Sequence, residues 1–497
     1  IFIHQGENPI QTGVEPGTIE AKRTVLLRGK VTNTDGSVLS GVTISIHNHE
    51  EFGQTKSRAD GMFDMVVNGG GYVTVQFNKT GYPPVQRKVL APWQEYVVLP
   101  NVAMLPISTE VSTIDLTQPN VIQVAQNKAV TDKDGTRQGT VLFPPNTTAT
   151  ITLKDGTQKQ LNQMNVHITE YTVGDKGVNA MPANLPANTD YTYAIELTTD
   201  EVLNEGIKVN GKDVEFNQPI PYYVENFLGF PVGTPVPSGY YDNDKNAWIA
   251  SENGRVIEIV SIENGKANID IDGDQQAEDN TTLSTFGINQ NEQIKLAGLY
   301  QSGQTLWRVP LTHFSTYDFN YGRDCEGNCE PPEEEEPEKE KPEPDPECES
   351  GSIIQCENQV LGETIVVNKE SWSLRYSSDR VSGRKTEHTL NIILSGNNVP
   401  KNVSKISLEI VIAGRKMYKE FDPLPNQKYS FVWDGKDVYG RTLSGAQSVL
   451  IRIGHQYKKG FYYLPPNVSK SFGYPSGQLK TSNVKARNPI TVWQEYR

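Results

Sequence analysis

The sequence predicts an all-β fold made of tandem β-sandwich domains with short helices. Short β-branched or aromatic runs recur along the chain and alternate with turn signals rich in Gly, Asn and Asp. The 497 residues include 42 glycines and 31 prolines, an excess that favours many short strands joined by turns. Helical patterns are confined to short segments. The length is enough for about three domains.

The composition excludes several classes of protein. Hydrophobic residues make up 36% of the chain, which excludes disorder over its whole length. The net charge of -14 argues against nucleic acid as a partner. No apolar run approaches the roughly 20 residues that span a bilayer, so we expect no membrane span. The chain starts at Ile1 without a signal peptide, so we expect the true N-terminus to lie further upstream.

Residues 21–106 are predicted to form the first sandwich, after an N-terminal arm of residues 1–20. Its strands are expected at Val25–Val31, Val42–His47, Phe63–Val67 and Tyr72–Phe77. Turn signals such as Ala59-Asp60-Gly61 separate these strands, at a spacing typical of a sandwich. The pattern resembles the transthyretin-like, carboxypeptidase-regulatory family of Ig-like sandwiches. That resemblance implies a domain without catalysis of its own.

Residues 107–323 are predicted to form a longer β-rich domain with two short helices. One helix is expected at Thr199–Glu205, with Thr199 or Asp200 as its cap and Gly206 as its stop. The other is expected at Asn291–Leu299, where apolar residues form a partial stripe. Alternating segments elsewhere in the domain indicate strands.

Residues 324–350 are predicted to be a linker flanked by cysteines. Six prolines between Pro331 and Pro346 are interleaved with Glu and Lys, which is typical of a semi-rigid solvated spacer rather than a metal-binding acidic tail. All the cysteines lie around this run: Cys325, Cys329, Cys348 and Cys356. They favour two disulfides over zinc, with three pairings open. Disulfides indicate an oxidising compartment and therefore a secreted or cell-surface protein.

Residues 351–497 are predicted to form a third β-rich unit. Strands are expected at Leu390–Leu394, Ile406–Ile412, Tyr429–Trp433 and Ser448–Ile453. The segment Trp433–Arg441 is a turn-rich connection in which Asp and Gly suit tight turns. Trp433 and Tyr439 are expected to anchor this connection to a core.

Three groups of sequence strings carry a more specific resemblance. They are Asn8–Glu20 with Phe52–Thr55 and Arg58–Phe63; Tyr223–Tyr241; and Gly351–Glu363 with Arg375–Arg380 and Trp433–Arg441. Together they resemble the N-terminal region of bacterial YD-repeat (Rhs-type) proteins, which is related to the corresponding part of teneurins. The resemblance implies a transthyretin-like domain, a ZU5-like middle domain and an FN-plug domain placed before a hollow YD-repeat shell that the plug closes.

The shell itself is not represented in the sequence. A YD repeat needs recurrence of a Tyr-Asp-x-x-Gly-Arg phrase, and Asp437–Arg441 is a single loose instance. We therefore expect the chain to be a fragment or processed product of a longer protein.

The segment from Asn268 to Asp279 is the best candidate for a metal site. On the calcium-loop template, Asn268, Asp270 and Asp272 fall at positions one, three and five, and Asp279 falls at position twelve. Asp274 supplies a further carboxylate, and Ca²⁺ favours such oxygen-rich loops. The predicted ligands of Ca²⁺ are therefore Asn268, Asp270, Asp272, Asp274 and Asp279. The alternative is a solvated acidic turn.

Two histidine motifs are weaker candidates. The phrase Thr312–Ser315 resembles the end of ZU5-type domains, some of which cleave themselves. There Ser315 would be the nucleophile of an N-to-O acyl shift and His313 its base, although a structural histidine in a strand is the more common situation. His47 and His49 could share one strand face as a metal pair, with surface or edge positions as the alternative.

These observations predict a non-catalytic, extracellular structural protein. The sequence contains no nucleophile elbow, P-loop or HExxH motif. The predicted role is the N-terminal cap and plug of a YD-repeat shell, with that shell or other copies of the chain as partner. One alternative is an adhesion or self-assembling surface subunit that uses exposed strand edges. Another is an accessory domain that binds glycan.

Overall fold

A computed structural model of the chain describes residues 3–174, 177–185, 189–207, 211–325, 329, 354–355, 360–366, 373–377, 388–458, 460–474 and 480–497. Strands predominate in these ranges, which confirms the all-β fold class. The chain divides into two compact units. The first comprises Ile1–Gly327 with Lys459–Pro489, and the second comprises Asn328–Lys458 with Ile490–Arg497.

The N-terminal domain is a sandwich of two sheets. Its strands are β1 (Gln11–Thr12), β2 (Thr24–Asn33), β3 (Thr43–Ile46), β4 (Gln54–Lys56), β5 (Met62–Asn68), β6 (Gly71–Asn78), β7 (Val85–Ala91), β8 (Tyr96–Val98) and β9 (Val102–Met104), with a 3₁₀ turn at Glu50–Phe52. One sheet has the order β1-β4-β3-β6-β7, and the other has the order β5-β2-β8 with β9 also paired to β2. Inward side chains alternate along these strands and fill a common core, where the Phe63 and Phe77 rings meet edge to face at 5.4 Å.

The N-terminal arm is tied into this sandwich by one buried amide. Gln11 Nε2 donates to the carbonyl oxygens of Phe52 (2.8 Å) and Val66 (2.9 Å), and Gln11 Oε1 accepts from the Val66 amide (2.7 Å). Because β1 pairs with β4 in one sheet while Val66 lies in the other, Gln11 joins the two sheets.

The middle domain contains larger sheets and three α-helices. Its strands are β10 (Ser112–Asp115), β11 (Gln123–Gln126), β12 (Val130–Asp132), β13 (Gly135–Arg137), β14 (Thr140–Phe143), β15 (Ala149–Leu153), β16 (Gln158–Leu161), β17 (Gln163–Glu170), β18 (Ala194–Thr199), β19 (Gly206–Ile207), β20 (Val214–Glu225), β21 (Pro235–Val236), β22 (Gly239–Asp242), β23 (Ala247–Ala250), β24 (Gly254–Glu263), β25 (Lys266–Asp270), β26 (Thr305–Phe314), β27 (Thr316–Asp318) and β28 (Arg323–Cys325). Its helices are α1 (Asp200–Asn204), α2 (Asn280–Thr285) and α3 (Gln290–Leu299), with a 3₁₀ turn at Gly177–Ala180.

Two of these sheets enclose the main core of the middle domain. The six-stranded sheet has the order β10-β17-β18-β27-β22-β23, and the larger sheet follows β11-β14-β20-β26-β24-β21. Between them lies an aromatic-rich cluster that includes Tyr193, Tyr222 and Trp307. The opposite face of the larger sheet packs against α2 and α3 through Leu283 and Leu296.

Two of the helices were predicted, and their caps explain why. The Thr199 hydroxyl accepts from the Val202 amide (3.3 Å) at the start of α1, and Asn289 accepts from the Glu292 amide (2.9 Å) at the start of α3. Both predictions are confirmed. Helix α2 was not predicted because Asp279, which caps it, had been assigned to the calcium loop.

The remaining strands follow the predicted linker. They are β29 (Ile354–Gln355), β30 (Val360–Val366), β31 (Ser373–Ser377), β32 (Thr389–Ile393), β33 (Val403–Ile412), β34 (Arg415–Phe421), β35 (Lys428–Val432), β36 (Val449–Tyr457), β37 (Gly460–Leu464), β38 (Lys480–Lys485) and β39 (Ile490–Tyr496). In the second unit, the sheet β34-β33-β36-β39 and the pair β32-β35 share an aliphatic core.

The turn after β35 has the predicted construction. Trp433 is buried, and its indole N–H donates to the Lys436 carbonyl (2.9 Å). The Asp437 carboxylate accepts from the backbone amides of Tyr439 and Arg441, both at 2.9 Å. The side chain of Asp437 therefore satisfies the turn while Trp433 anchors it.

Strands β37 and β38 do not belong to the unit in which the sequence placed them. Residues 351–497 were expected to form one domain, yet Lys459–Pro489 clusters with the first unit. The reason is strand pairing, because β37 pairs with β28 and with β38 to form a separate three-stranded sheet.

Candidate functional site

The predicted calcium loop lies directly after β25 and is organised around one buried carboxylate. Asp270 is fully buried. Its Oδ1 accepts from the amides of Asp272 (2.9 Å) and Gly273 (2.7 Å), and its Oδ2 accepts from the Gln275 amide (2.9 Å). Gly273 has φ +90°, and a Cβ there would lie 2.8 Å from the Val232 carbonyl oxygen. The sharp turn therefore requires glycine at this position.

The loop brings three carboxylates together. Asp270, Asp272 and Glu278 each offer one oxygen, and these oxygens lie within 4.8 Å of one another. Glu278 Oε1 accepts from the Ile271 amide (2.9 Å), whereas Oε2 is buried with no hydrogen-bond partner in the described part of the chain. Burial raises the pKa of Glu278, and the charges of Asp270 and Asp272 add to that rise. A cation bound among these oxygens would offset both the cost of burying a charged Glu278 and its repulsion by Asp270 and Asp272.

The other predicted ligands have different partners. The Asn268 side chain donates to the Ser261 hydroxyl (2.8 Å), and Asp274 Oδ1 accepts from the Gln276 amide (2.8 Å). Asp279 Oδ1 accepts from the Thr282 amide (2.7 Å) as the cap of α2, and this hydrogen bond lowers the pKa of Asp279.

Glu278 is the residue that sequence reasoning missed. If the calcium-loop template starts at Asp270 instead of Asn268, then Asp272 and Asp274 fall at positions three and five and Glu278 falls at position nine. The signal was therefore present in the spacing, but Asn268 was taken as the first position.

His313 and Ser315 both lie in the buried interior of the middle domain. The Ser315 hydroxyl donates to the Gly211 carbonyl. The His313 ring stacks on Tyr317 with ring centroids 5.3 Å apart, and Tyr240 meets it edge to face at 4.6 Å. The Ser315 proton is thus directed to a backbone carbonyl, and the imidazole packs among aromatic rings.

His47 and His49 do not share one strand face, and His49 takes the surface position that was the alternative to a metal pair. Strand β3 ends at Ile46, and Asn48 adopts φ +58°, which breaks the alternation. His47 Nδ1 lies 3.2 Å from Gln76 Oε1, whereas His49 Nδ1 lies 2.8 Å from Glu51 Oε1 on the surface.

A disulfide joins Cys325 to Cys329, at the end of β28. Cys348 and Cys356, the other two candidates, lie outside the described residues. In the part of the chain that the structure describes, no helix is long and apolar enough to cross a bilayer.

Comparison with protein families identifies two domains. Residues 19–104 match the Teneurin TTR-like domain, and residues 389–461 match the Teneurin 1-4 FN-plug domain. The chain therefore contains a teneurin-type TTR-like domain followed by an FN-plug domain, as the sequence strings implied. The ZU5-like assignment of the middle domain stays a prediction.

Curated relatives are teneurins from vertebrates and an insect. Teneurin-1 of Gallus gallus is 35% identical over 116 residues, and Teneurin-m of Drosophila melanogaster is 39% identical over 98 residues. These matches cover 22% and 20% of this chain and 4% of each relative. Among solved structures, a DUF3823 family protein from Parabacteroides merdae covers 41% of this chain and 89% of its own at 8% identity and a TM-score of 0.13, which is too low to support a conclusion.

Proposed function

We propose that this chain is a non-catalytic structural module, the N-terminal cap and plug of a secreted or cell-surface YD-repeat shell protein of the Rhs or teneurin-like type. The observation that carries the proposal is the presence of a TTR-like and an FN-plug domain, in that order, in one polypeptide. Its partner is a YD-repeat shell that belongs to the same protein.

The surroundings of the weak catalytic candidates support a structural role. Ser315 and His313 are both buried in the middle domain, and the Ser315 hydroxyl donates to the Gly211 carbonyl, so its proton is directed to a backbone carbonyl rather than to the His313 ring. The Cys325–Cys329 disulfide supports an oxidising, extracellular setting.

The mass of the native polypeptide tests the proposal. Extraction from the source organism, followed by intact mass spectrometry and electron microscopy of the particle, should show a chain much longer than 497 residues with a hollow β-shell. A native chain that ends near Arg497 and assembles into fibres or multimers would overturn the proposal and favour the self-assembling surface subunit.

We also propose that the loop from Asp270 to Glu278 binds Ca²⁺ and thereby stiffens the middle domain. The supporting observations are the three converging carboxylates and the buried, unpartnered Oε2 of Glu278. The ligands are Asp270, Asp272 and Glu278, with backbone carbonyls and water to complete the oxygen shell that Ca²⁺ requires.

Thermal unfolding in Ca²⁺ and in chelator tests this site. Millimolar Ca²⁺ should raise the melting temperature of the wild-type chain, because a ligand that binds only the native state stabilises it. Glu278→Gln should weaken Ca²⁺ binding about tenfold or more, whereas the exposed Glu263→Gln, with the same loss of charge, should retain it. No Ca²⁺-dependent shift in the wild type would show that the loop is only a solvated acidic turn.

A further inference from the structure

Residues 460–474 and 480–489, here called the cationic clasp, form a hairpin that completes the middle domain. Strand β37 pairs antiparallel with β28, with Tyr462 opposite Arg323, and with β38 on its other edge. The Tyr463 amide donates to the Gly322 carbonyl at 2.7 Å. The middle domain thus accepts a strand from a distant part of the chain by edge addition.

Tyr462 anchors the clasp in the core of the middle domain. It is fully buried, and its ring lies 5.5 Å from that of Phe230. Its hydroxyl donates to Asp190 Oδ2 (3.0 Å) and accepts from the Arg487 amide (2.9 Å). The Tyr462 hydroxyl therefore joins the two arms of the hairpin to each other and to a buried acid of the middle domain.

Arg487 provides the second anchor. Its Nε donates to Asp134 Oδ2 (2.7 Å), and a terminal nitrogen donates to Asp132 Oδ2 (3.2 Å). The same guanidinium also donates to the carbonyl oxygens of Thr172 and Thr192, each at 2.9 Å. The Arg487 side chain is only 3% exposed, so these contacts are shielded from solvent. Such buried, charge-assisted hydrogen bonds are among the stronger contacts in proteins.

The loop of the clasp contacts a separate part of the same domain. Asn253 donates from its side chain to the Val468 carbonyl (2.8 Å) and from its amide to the Ser469 carbonyl (2.7 Å). The Phe472 ring covers Gly239, where an added Cβ would come within 2.6 Å of the ring. The clasp therefore contacts the middle domain at two separate places.

The positive charge of the clasp is opposite to that of the aspartates it contacts in the middle domain. The segment Lys459–Pro489 contains four lysines and one arginine and no acidic residue, in a chain whose net charge is -14. The socket that receives it is acidic, with Asp132, Asp134 and Asp190 in contact with the clasp. Hydrogen bonds from Arg137 and from neighbouring backbone amides hold the pKa of Asp132 well below its usual value, although burial alone would raise it. Asp132 therefore remains ionised and pairs with Arg487 as well as with Arg137, which suits a cationic hairpin.

We propose that the middle domain is a receptor for a cationic β-hairpin, and that its occupant, the clasp of the same chain, ties the two compact units together independently of the Pro/Glu-rich linker. The chain crosses between the units at 327/328, 458/459 and 489/490. Cleavage of the Pro/Glu-rich linker would remove only the first crossing, and the clasp would keep the two fragments in one particle.

The experiment uses the full chain with a site-specific protease sequence placed between Pro332 and Pro342. After cleavage, the disulfides are reduced so that no covalent link joins the fragments, and the products are sized by gel filtration and native mass spectrometry. The wild-type fragments should stay together at micromolar concentration. Arg487→Ala should raise their dissociation constant about 30-fold or more, since truncation of one partner of a buried charged pair typically has such an effect.

Matched variants keep the test decisive. Lys480→Ala removes one exposed positive charge from the same hairpin and should leave the fragments together. Tyr462→Phe keeps the aromatic ring but loses both hydrogen bonds of the hydroxyl. This variant tests the clasp in place of Arg487→Ala if the Arg487→Ala chain does not fold before cleavage. Separation of the cleaved wild type, or equal association of the Arg487→Ala and Lys480→Ala fragments, would overturn the proposal. Neither result bears on the presence of a shell in the native protein.

Discussion

Two polar side chains on one face of the six-stranded sheet are buried without partners. Asp318 ends β27 and Asn320 follows two residues later, and both alternate with Tyr317 and Phe319, which belong to the main core. Both are at least 98% buried, and no hydrogen-bond partner within the described residues reaches either side chain. Burial raises the pKa of Asp318 well above its ordinary value, and the charge of Asp190 adds to the rise. Burial in the native state therefore favours the protonated, uncharged form of Asp318.

Asp318→Asn should stabilise the protein at neutral and alkaline pH. In the unfolded chain Asp318 loses its proton above about pH 4, whereas its pKa in the native state is higher. The native state therefore binds more protons than the unfolded state between these two pKa values, and the free energy of unfolding falls as pH rises between them. An amide, which carries no charge, removes this dependence. A difference of one pKa unit between the native and unfolded states corresponds to about 1.4 kcal/mol, so we expect a gain of at least about 1 kcal/mol at pH 8.

Urea denaturation at pH 4 and pH 8 measures the effect. The difference between Asp318→Asn and the wild type should shrink toward zero at pH 4, and the exposed Glu263→Gln should show no comparable gain at pH 8. A destabilised Asp318→Asn at pH 8 would mean that the native carboxyl is ionised and held by a partner.

At the scale of elements, the short N-terminal strand β1 has a structural importance beyond its length. Its buried Gln11 satisfies three backbone groups, one of Phe52 in the 3₁₀ turn and two of Val66 in β5. Gln11→Ala would leave these groups buried without partners, so we expect the first domain to lose about 2–4 kcal/mol. The exposed Gln54→Ala is the control and should change stability by less than about 0.5 kcal/mol. Chemical denaturation that shows equal stability for both variants would contradict this role.

The strands that local patterns predicted are present in the structure, but their long-range partners were not predicted. The run Ile406–Ile412 lies within β33, and Phe63–Val67 lies within β5, because alternation and turn residues act over a few positions. The pairing of β28 with β37 connects residues far apart in sequence, and no local pattern specifies it. The absence of acids from Lys459–Pro489 was the visible signal for this pairing, yet charge bias alone does not identify a partner.

The candidate cation site shows the same limit at the level of side chains. Spacing singled out Asp270 and Asp272, which the fold brings close to Glu278, but the distinction between Glu278 as a possible ligand and Asp279 as a helix cap depends on where α2 begins. Both residues are acidic neighbours, so composition cannot separate them.

At the scale of the whole molecule, the first unit joins its two domains through a polar seam. The Tyr241 hydroxyl of the middle domain donates to Gln86 Oε1 of β7 (2.7 Å), and the Gln86 amide donates to the Pro182 carbonyl (2.7 Å). Arg87 is buried beside them, and burial lowers its pKa. Because these groups satisfy one another across the seam, the N-terminal and middle domains behave as parts of one unit.

Strands β37 and β38 complete the first unit but are translated after most of the second unit, which affects how the chain folds during synthesis. When the ribosome has completed Cys325, the nascent middle domain still lacks Tyr462 and Val484, two side chains of its main core. Residues 328–458 of the second unit must be translated before these last strands emerge from the exit tunnel. The middle domain therefore reaches its full core only after most of the second unit has been synthesised, and until then the surfaces that Tyr462 and Val484 cover are open to chaperones.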